Sequence, residues 1–402
     1  MKIILVVITL LITCNTFAQV KWHPGHYAMI PNYGNRDVIL KELSDTPLIQ
    51  GVQLSYTWRE LETSKDVYNF TQIDKDIEFY GKANKRVVIF LKTKSFNTTS
   101  PAPDYMNDYV YPYTARVEGR NIKLWMDETK IRLEALVKAL GNKYDTHPMI
   151  EAITFNETSF GGVLTNLEIE GYFNNLIYIL EKSKLYFPHT NVIQFVNFPR
   201  NVLPKLTEAM LKNKIGLGGP DTFPKDNGLL IGAYTYYPKF TNILPVTPSV
   251  QNENYVTQCF SCPPDPLTVE QLYEYDKTNL HASHIFWSRT SEPIFTKVRA
   301  MLNGPNFPKD TAGGLNSKCP SAYDSCVDIL TITCPVSDKI YSQLELDKIL
   351  LDNINPLNSQ IMAQEIIINE LNDHMDEEIE NGINIWKSDF LIKIKDFILG
   401  VK

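Results

Sequence analysis

Short apolar runs recur along this chain, and segments with helical spacing separate them. Apolar runs of about four to eight residues are typical of strands buried on both faces of a parallel sheet. Eight such runs predict strands over 25–31, 49–58, 86–91, 150–155, 191–197, 215–219, 246–252 and 283–287. The segments between them predict helices over 38–43, 70–83, 127–144, 167–185, 202–212, 227–240, 268–278 and 294–302.

This alternation predicts the fold class. Strands that alternate with helices pair in parallel through helical crossovers. Eight such units over roughly 280 residues favour an α/β fold closed into a (β/α)8 or TIM barrel over an open sheet. We therefore assign residues 19–304 to one barrel domain. Residues 93–113, which are rich in Ser, Thr, Pro and Tyr, are predicted to be a loop after the third strand.

The composition changes beyond the predicted barrel. Residues 305–338 are rich in Pro, Gly, Ser and Cys and are predicted to be loop. Residues 339–402 carry apolar clusters and an acidic stretch, which together predict a helical C-terminal extension. This extension is expected either to pack on the barrel or to bind a partner or a second copy of the chain.

The first eighteen residues are typical of a secretory signal. Lys2 supplies the charged start, residues 3–12 the apolar centre, and Thr16-Phe17-Ala18 a small-residue cleavage site. The apolar part is too short to span a membrane. A lipoprotein anchor at Cys14 is the alternative, but Leu11-Ile12-Thr13 matches its usual pattern poorly. We expect cleavage near Ala18 and a secreted or periplasmic protein.

Cysteine usage agrees with export. The mature chain would contain Cys259, Cys262, Cys319, Cys326 and Cys334. Disulfides are expected in an oxidising compartment, and the odd count leaves one thiol free or paired elsewhere. The Cys-x2-Cys pair at 259 and 262 matches half a zinc site, but the other cysteines supply no second half. A local disulfide is therefore the preferred interpretation.

Charge and composition narrow the function further. The net charge of -7 on 402 residues argues against a nucleic-acid binder. The aromatic content of 11% suits a carbohydrate cleft but also an aromatic core. No predicted strand end carries the clustered His and Asp ligands of a metal site. We therefore expect no metal and no cofactor, and we disfavour a metal-dependent hydrolase.

Two predicted strands end in a glutamate. Asn156-Glu157 follows the fourth strand, and Glu253 lies at the end of the seventh. Catalytic residues of barrel enzymes gather at the C-terminal ends of the strands. Glycosidic cleavage needs one carboxyl group to protonate the leaving oxygen and, in retaining enzymes, another to attack the anomeric carbon. Either glutamate alone fits a solvated loop residue or a salt bridge, but the pair predicts a glycoside hydrolase.

Three motifs carry a resemblance to a known group of enzymes. They are Asn156-Glu157, the stretch Trp58-Arg59-Glu60-Leu61-Glu62 followed by Tyr68-Asn69-Phe70, and Trp287 at the end of the eighth strand. With these motifs, residues 22–303 resemble the clan of retaining barrel glycosidases with acid/base and nucleophile on strands four and seven. Glycoside hydrolase families 5 and 42 are the most similar members.

The resemblance implies a role for each matched residue. Glu157 becomes the acid/base, Glu253 the nucleophile, Asn156 a ligand of the sugar 2-hydroxyl, and Trp287 a platform under the sugar. Family members often carry a His near strand three, where this chain has Lys92-Thr93-Lys94.

Further side chains are candidate sugar contacts. Arg59 is expected either to neutralise Glu253 or to pair with a structural acid, and Trp58 is a second platform candidate. Asp221, after the sixth strand, is expected to touch substrate or to cap the next element. The tyrosine that hydrogen-bonds the nucleophile in the family has three candidates, Tyr234, Tyr236 and Tyr255.

These features predict a secreted retaining glycoside hydrolase that cleaves β-glycosidic bonds of a poly- or oligosaccharide by double displacement. The alternative is a barrel that binds carbohydrate without cleaving it.

Overall fold

The computed structural model describes residues 19–30, 34–113, 118–289 and 294–328. The predicted signal segment and the predicted helical extension over 339–402 lie outside the described residues, as do Cys14 and Cys334. Among the residues described, no helix is both long enough and apolar enough to cross a membrane.

Eight parallel strands close into a barrel, as the sequence predicts. Each strand pairs with its neighbours in chain order, and the eighth pairs with the first. The strands are β1 Gly25–Ile30, β2 Ile49–Thr57, β3 Arg86–Lys92, β4 Ile150–Phe155, β5 Asn191–Phe195, β6 Gly216–Gly219, β7 Val246–Val250 and β8 His284–Ser288.

Helices follow the strands and cover the outside of the barrel. They span Arg36–Ser44, Thr71–Gly81, Asp127–Tyr144, Asn166–Tyr186, Leu203–Lys212, Val269–Thr278 and Ile294–Asn303. The prediction of a single helix over 227–240 is wrong. This region contains the short turns Asn227–Leu230, Ala233–Tyr236 and Tyr237–Phe240, because Gly232 leaves the helical conformation between them.

Local sequence sets where several helices begin. The Asn35 side chain accepts hydrogen bonds from the backbone N–H groups of Asp37 and Val38 at the start of the first helix. Thr165 and Glu168 form a reciprocal capping box at the start of Asn166–Tyr186. Each cap satisfies N–H groups that have no partner inside the helix.

The strands divide the apolar side chains between two layers. One buried cluster fills the barrel and consists of Tyr27, Met29, Val88, Ala152, Ile193, Phe195 and Phe286. A larger cluster outside it includes residues of the strands and of the surrounding helices. Since both faces of each strand are buried, apolar residues occupy consecutive positions rather than alternate ones.

The segment after β3 differs from the predicted loop over 93–113. Strands Lys94–Ser95, Val110–Tyr113 and Gly119–Ile122 form a small antiparallel sheet, with a 3-10 helix over Asp104–Tyr109. The loop after β4 folds tightly against this sheet. Gly161 has φ +60°, and a Cβ atom there would clash with the ring of Tyr113. The sheet therefore lies beside the C-terminal end of β4.

The chain also covers the N-terminal end of the barrel, where the strands begin. Strand Gln19–Lys21 pairs in parallel with Ser325–Val327, about three hundred residues later. The Lys21 ammonium donates hydrogen bonds of 2.8 Å to the carbonyls of Asp145 and His147. Disulfides join Cys319 to Cys326 and Cys259 to Cys262, so the preferred local disulfide at 259–262 is confirmed.

Candidate active site

Three carboxyl groups gather at the C-terminal end of the barrel. Glu157 follows β4, Asp221 follows β6, and Glu253 lies in the 3-10 turn Asn252–Tyr255 after β7. Burial raises the pKa of Asp221 to about 7, and the charges of Glu253 and then Glu157 add to the effect. The three groups therefore act on one another electrostatically.

Glu157 has a buried cation as its partner. The Lys94 ammonium lies 2.8 Å from Glu157 Oε1 and also donates hydrogen bonds to the carbonyls of Glu157 and Ser159. It sits 5.1 Å from the centre of the Tyr113 ring. An ammonium this close stabilises the carboxylate anion. Glu157 thus forms an ion pair with Lys94 at the end of β4.

Neighbouring amides fix the backbone around Glu157. Asn156 Oδ1 accepts a 2.7 Å hydrogen bond from the backbone N–H of Thr93 at the end of β3. Asn197 Oδ1 accepts one of 2.9 Å from the backbone N–H of Ser159. Among the described residues, no acceptor pairs with Asn156 Nδ2. That N–H group can therefore donate to a ligand hydroxyl, as the resemblance implies.

Asp221 and the Glu253 turn are joined by one buried amide. Asn254 Oδ1 accepts hydrogen bonds from the backbone N–H groups of Gln251, at 2.6 Å, and Thr222, at 3.2 Å. Asn254 Nδ2 lies 3.4 Å from Asp221 Oδ1. This arrangement fixes the end of β6 to the end of β7 and so sets the position of Asp221 relative to the turn that carries Glu253.

Asp221→Asn is expected to change how stability depends on pH. The folded protein binds the Asp221 proton more tightly than the unfolded chain does, so this group lowers stability as pH rises from about 4 to about 7. The variant lacks that loss. Each pH unit between the unfolded and folded pKa values changes the free energy of unfolding by about 1.4 kcal/mol. We therefore expect the variant to gain at least about 1 kcal/mol of stability over wild type on going from pH 4.5 to pH 8.

Urea denaturation at the two pH values measures this difference. Asp108→Asn, which alters an exposed carboxylate, controls for a general effect of charge. A difference between variant and wild type that is the same at both pH values would contradict the assignment.

Two predicted sugar platforms are buried instead. Trp287 is fully buried on the outer face of the barrel strands. Its indole N–H donates a 3.0 Å hydrogen bond to His26 Nδ1. Trp58 is also fully buried, and its indole donates to Glu62 Oε2 at 2.7 Å. Neither ring faces the cleft. Trp287 points outward because its neighbour Phe286 takes the interior position on β8.

Of two other candidates, Arg59 has structural partners and the Tyr255 hydroxyl has none among the described residues. Arg59 pairs with Asp104 at 2.6 Å, and its Nε donates to the carbonyl of Ser100, so it fastens the segment after β3. Tyr255 is buried, and no described residue pairs with its hydroxyl. The Tyr234 hydroxyl donates to the carbonyl of Asp221 at 3.0 Å. Within the described residues, no tyrosine donates a hydrogen bond to Glu253.

Two exposed aromatic rings on the strand-end loops were not among the sugar contacts predicted from the sequence. Phe96, just after β3, is 56% exposed and packs edge-on against Tyr113 at 5.5 Å. Phe260 is 41% exposed, lies inside the Cys259–Cys262 disulfide loop and packs 4.6 Å from the Phe223 ring. The sequence contained a signal for Phe260, because the Cys-x2-Cys loop restrains a lone aromatic residue.

The two lysines at the end of β3 are also part of this region. Burial lowers the pKa of Lys92, and the charges of Glu157 and Glu60 oppose that effect. Lys92-Thr93-Lys94 departs from the family pattern, and Lys94 is the partner of Glu157. Among the described residues, no three His, Cys, Asp or Glu side chains come together in a way that could hold a metal.

Comparisons with known proteins agree with this fold. No protein-family model and no curated protein matches the sequence. A β-galactosidase from Bacillus circulans sp. alkalophilus superposes with a TM-score of 0.50 at 12% identity, over 67% of this chain and 51% of that chain. This chain therefore spans about half the length of that enzyme.

Other solved glycoside hydrolases give similar values. The catalytic domain of β-amylase from Paenibacillus polymyxa gives a TM-score of 0.47 at 9% identity, over 67% of this chain and 92% of that chain. Endo-glycoceramidase II from Rhodococcus sp. gives 0.46 at 10% identity, over 68% and 76%. At 12% identity the similarity to the β-galactosidase shows the fold alone.

Proposed function

We propose that this protein is a retaining glycoside hydrolase that cleaves β-glycosidic bonds of a poly- or oligosaccharide. The observation that carries the proposal is the gathering of Glu157, Asp221 and Glu253 at the C-terminal end of the barrel. The similar solved structures are glycoside hydrolases on the same fold. Two disulfides suit the secreted or periplasmic location that the first eighteen residues predict.

In this proposal Glu253 attacks the anomeric carbon and Glu157 transfers the proton. Glu253 is solvent-accessible at the cleft, where a carboxylate anion is well hydrated. Asn156 Nδ2 donates to the sugar hydroxyl next to the reacting carbon, and such a hydrogen bond strengthens in the transition state. Asn254 keeps the turn that carries Glu253 at a fixed place beside Asp221.

Asp221 is a competing proton donor. Lys94 pairs with Glu157, and burial and two nearby carboxylates bring the pKa of Asp221 to about 7. A carboxyl group that keeps its proton near neutral pH is suited to general acid catalysis. Glu157 then serves as the general base of the second step, for which an anion is required.

The alternative function is carbohydrate binding without cleavage. The Lys94–Glu157 ion pair favours this alternative, since a carboxylate held by a buried ammonium is less free to exchange protons. The two functions differ in turnover. Wild-type protein is screened against β-linked polysaccharides and aryl β-glycosides by reducing-sugar release and chromophore release. Hydrolysis with net retention of configuration supports the proposal, and binding without hydrolysis of any substrate supports the alternative.

Phe96→Ala and Phe260→Ala are expected to weaken binding of long substrates. Both rings are exposed on loops at the strand ends, on the Glu157 and Glu253 sides respectively. An exposed ring can stack on a sugar some distance from the cleaved bond, so each substitution should raise the Kd or KM for a long oligosaccharide about three- to tenfold. A short aryl glycoside should be affected little.

Isothermal titration with oligosaccharides of increasing length measures this effect, whether or not the protein turns them over. Ile131→Ala removes a similarly exposed apolar side chain from the helix Asp127–Tyr144 and serves as the matched control. An equal loss for short and long ligands would contradict the platform assignment.

A further inference from the structure

Lys92, the last residue of β3, faces the inside of the barrel at the end where the candidate active site lies. Val88 belongs to the cluster that fills the barrel, whereas Leu91 belongs to the outer cluster. Residues two apart on a strand face the same side, so Phe90 and Lys92 point inward like Val88. The Phe90 ring lies 5.7 Å from the interior ring of Phe195. Lys92 therefore rises from the aromatic floor of the cleft.

The ammonium of Lys92 stays above this floor. Its Nζ lies over the Phe90 ring, 5.5 Å from the ring centre. Phe90 is 9% exposed and Lys92 is only partly buried, so both can be reached from the cleft. The charges of Glu157, which follows the adjacent strand β4, and of Glu60 act on the Lys92 ammonium. The ammonium is thus close to the residue to which proton transfer is assigned.

No described protein group satisfies this ammonium. Among the described residues, no oxygen accepts a hydrogen bond from Lys92 Nζ and no carboxylate forms an ion pair with it. Glu157 is instead paired with Lys94 at 2.8 Å. Glu60 Oε2 accepts hydrogen bonds of 2.7 and 2.8 Å from the backbone N–H and the hydroxyl of Thr57. The three N–H groups of Lys92 can therefore donate to a ligand.

The charges of the cleft are divided between its two sides. Lys92 and Lys94 lie at and just after the end of β3, whereas Glu253 follows β7, which is opposite β3 in the closed order of eight strands. Because Lys94 is paired with Glu157, the charge of Lys92 is left to attract an anion on the β3 side. An ammonium binds a carboxylate more strongly than a hydroxyl, since the hydrogen bonds then join opposite charges.

We propose that the Lys92 ammonium binds the carboxylate of a uronic acid, so that the glycan recognised at this site is an acidic one. This inference rests on the proposed function, because it takes the gathered carboxyl groups to mark the place where a glycan binds. A uronic acid carries a carboxylate where its neutral parent sugar carries a CH2OH group. Lys92 therefore determines specificity by distinguishing two sugars that differ in that group alone.

Titration calorimetry with matched sugars tests the inference, whether or not the protein turns them over. Each pair is a uronic acid and its neutral parent, presented as nitrophenyl β-glycosides and as oligosaccharides. Wild type should bind the acidic member of at least one pair about tenfold or more tightly than the neutral member. Lys92→Met should raise Kd for that acidic sugar by about tenfold or more and change Kd for the neutral sugar much less. Lys92→Arg keeps the charge and should keep most of the preference.

Controls separate this inference from the proposed function. Lys138→Met removes an exposed ammonium from the helix Asp127–Tyr144 and should bind both sugars like wild type. Circular dichroism checks that each variant is folded. The inference is overturned if no acidic sugar binds more tightly than its neutral partner, or if Lys92→Met keeps the preference.

Release of nitrophenol and of reducing sugar is measured separately from binding. Hydrolysis of neutral substrates without any preference for acidic ones would keep the glycosidase and overturn the role of Lys92. Binding of acidic sugars that depends on Lys92, without hydrolysis of any substrate, would keep the role of Lys92 and overturn the glycosidase.

Discussion

Glu253→Gln and Glu157→Gln are each expected to lower kcat by at least about 10²-fold on substrates whose leaving group needs a proton to depart. Glutamine keeps the size of the side chain but can neither attack the anomeric carbon nor exchange a proton. Glu170→Gln changes an exposed glutamate on the helix Asn166–Tyr186 and should leave kcat unchanged. Full activity in either cleft variant would remove that residue from the mechanism.

The leaving group separates the acid from the nucleophile. An aryl group that departs as a stable phenolate needs no proton. On such a substrate, a variant that lacks only the acid should therefore recover the rate constant of the first step, formation of the glycosyl-enzyme. A variant that lacks the nucleophile should not recover. The same comparison decides between Glu157 and Asp221 as the donor, since only the true donor gives a variant, Glu157→Gln or Asp221→Asn, that recovers on the activated substrate.

Added azide tests the roles by the configuration of the product. In Glu253→Gly, azide can attack the anomeric carbon from the side where the carboxylate stood while the aryl group departs, which gives a glycosyl azide of inverted configuration. In Glu157→Gly, the glycosyl-enzyme still forms on Glu253, and azide displaces that carboxylate to give the retained product. The opposite pair of products would exchange the two assignments.

The barrel could be predicted from the sequence because its strands are apolar on both faces. The runs at Arg86–Lys92 and Ile150–Phe155 leave no polar alternation that would suggest a different element. The same property prevented a correct assignment of Trp287. On a strand whose two faces are both apolar, the sequence does not tell which of Phe286 and Trp287 faces the barrel interior. The structure places Phe286 inside and Trp287 outside.

Contacts between distant segments account for the other differences. Lys94 reaches Glu157 because the antiparallel sheet after β3 lies beside the end of β4, and nothing near either residue in the sequence indicates this pairing. Asp221 has a raised pKa because of burial and of charges that come from two other strand ends. The parallel pairing of Gln19–Lys21 with Ser325–Val327 joins segments too short to be recognised as strands on their own.

Glu151→Gln is expected to lower the free energy of unfolding by about 3–5 kcal/mol, the usual cost of removing one partner from a buried ion pair. Glu151 is the second residue of β4, on the N-terminal side of the barrel, and is fully buried. Its carboxylate lies 2.5 Å from His23 Nδ1 and accepts a 3.1 Å hydrogen bond from Asn191. His284 Nε2 lies 3.6 Å away. Glutamine lacks the carboxylate that these partners contact.

The pH dependence of stability should report the same network. Burial alone would raise the pKa of Glu151, but the charges and hydrogen bonds of His23 and His284 reverse this effect and hold the pKa well below its usual range. A carboxylate of this kind stabilises the fold above its unfolded pKa, about 4.3, and the contribution is lost as pH falls below that value. Wild type should therefore lose stability more steeply in acid than Glu151→Gln.

Urea denaturation at pH 7 and at pH 3.5 measures both effects, with Glu170→Gln expected within about 0.5 kcal/mol of wild type. A double-mutant cycle with His23→Gln should give a coupling energy of about 1–3 kcal/mol, because the two side chains are in direct contact. Additive effects of the two substitutions would contradict a shared network. At temperatures where Glu151→Gln is still folded, its kcat should match that of wild type, because Glu151 lies at the opposite end of the barrel from the three carboxyl groups and stabilises the fold without taking part in the reaction.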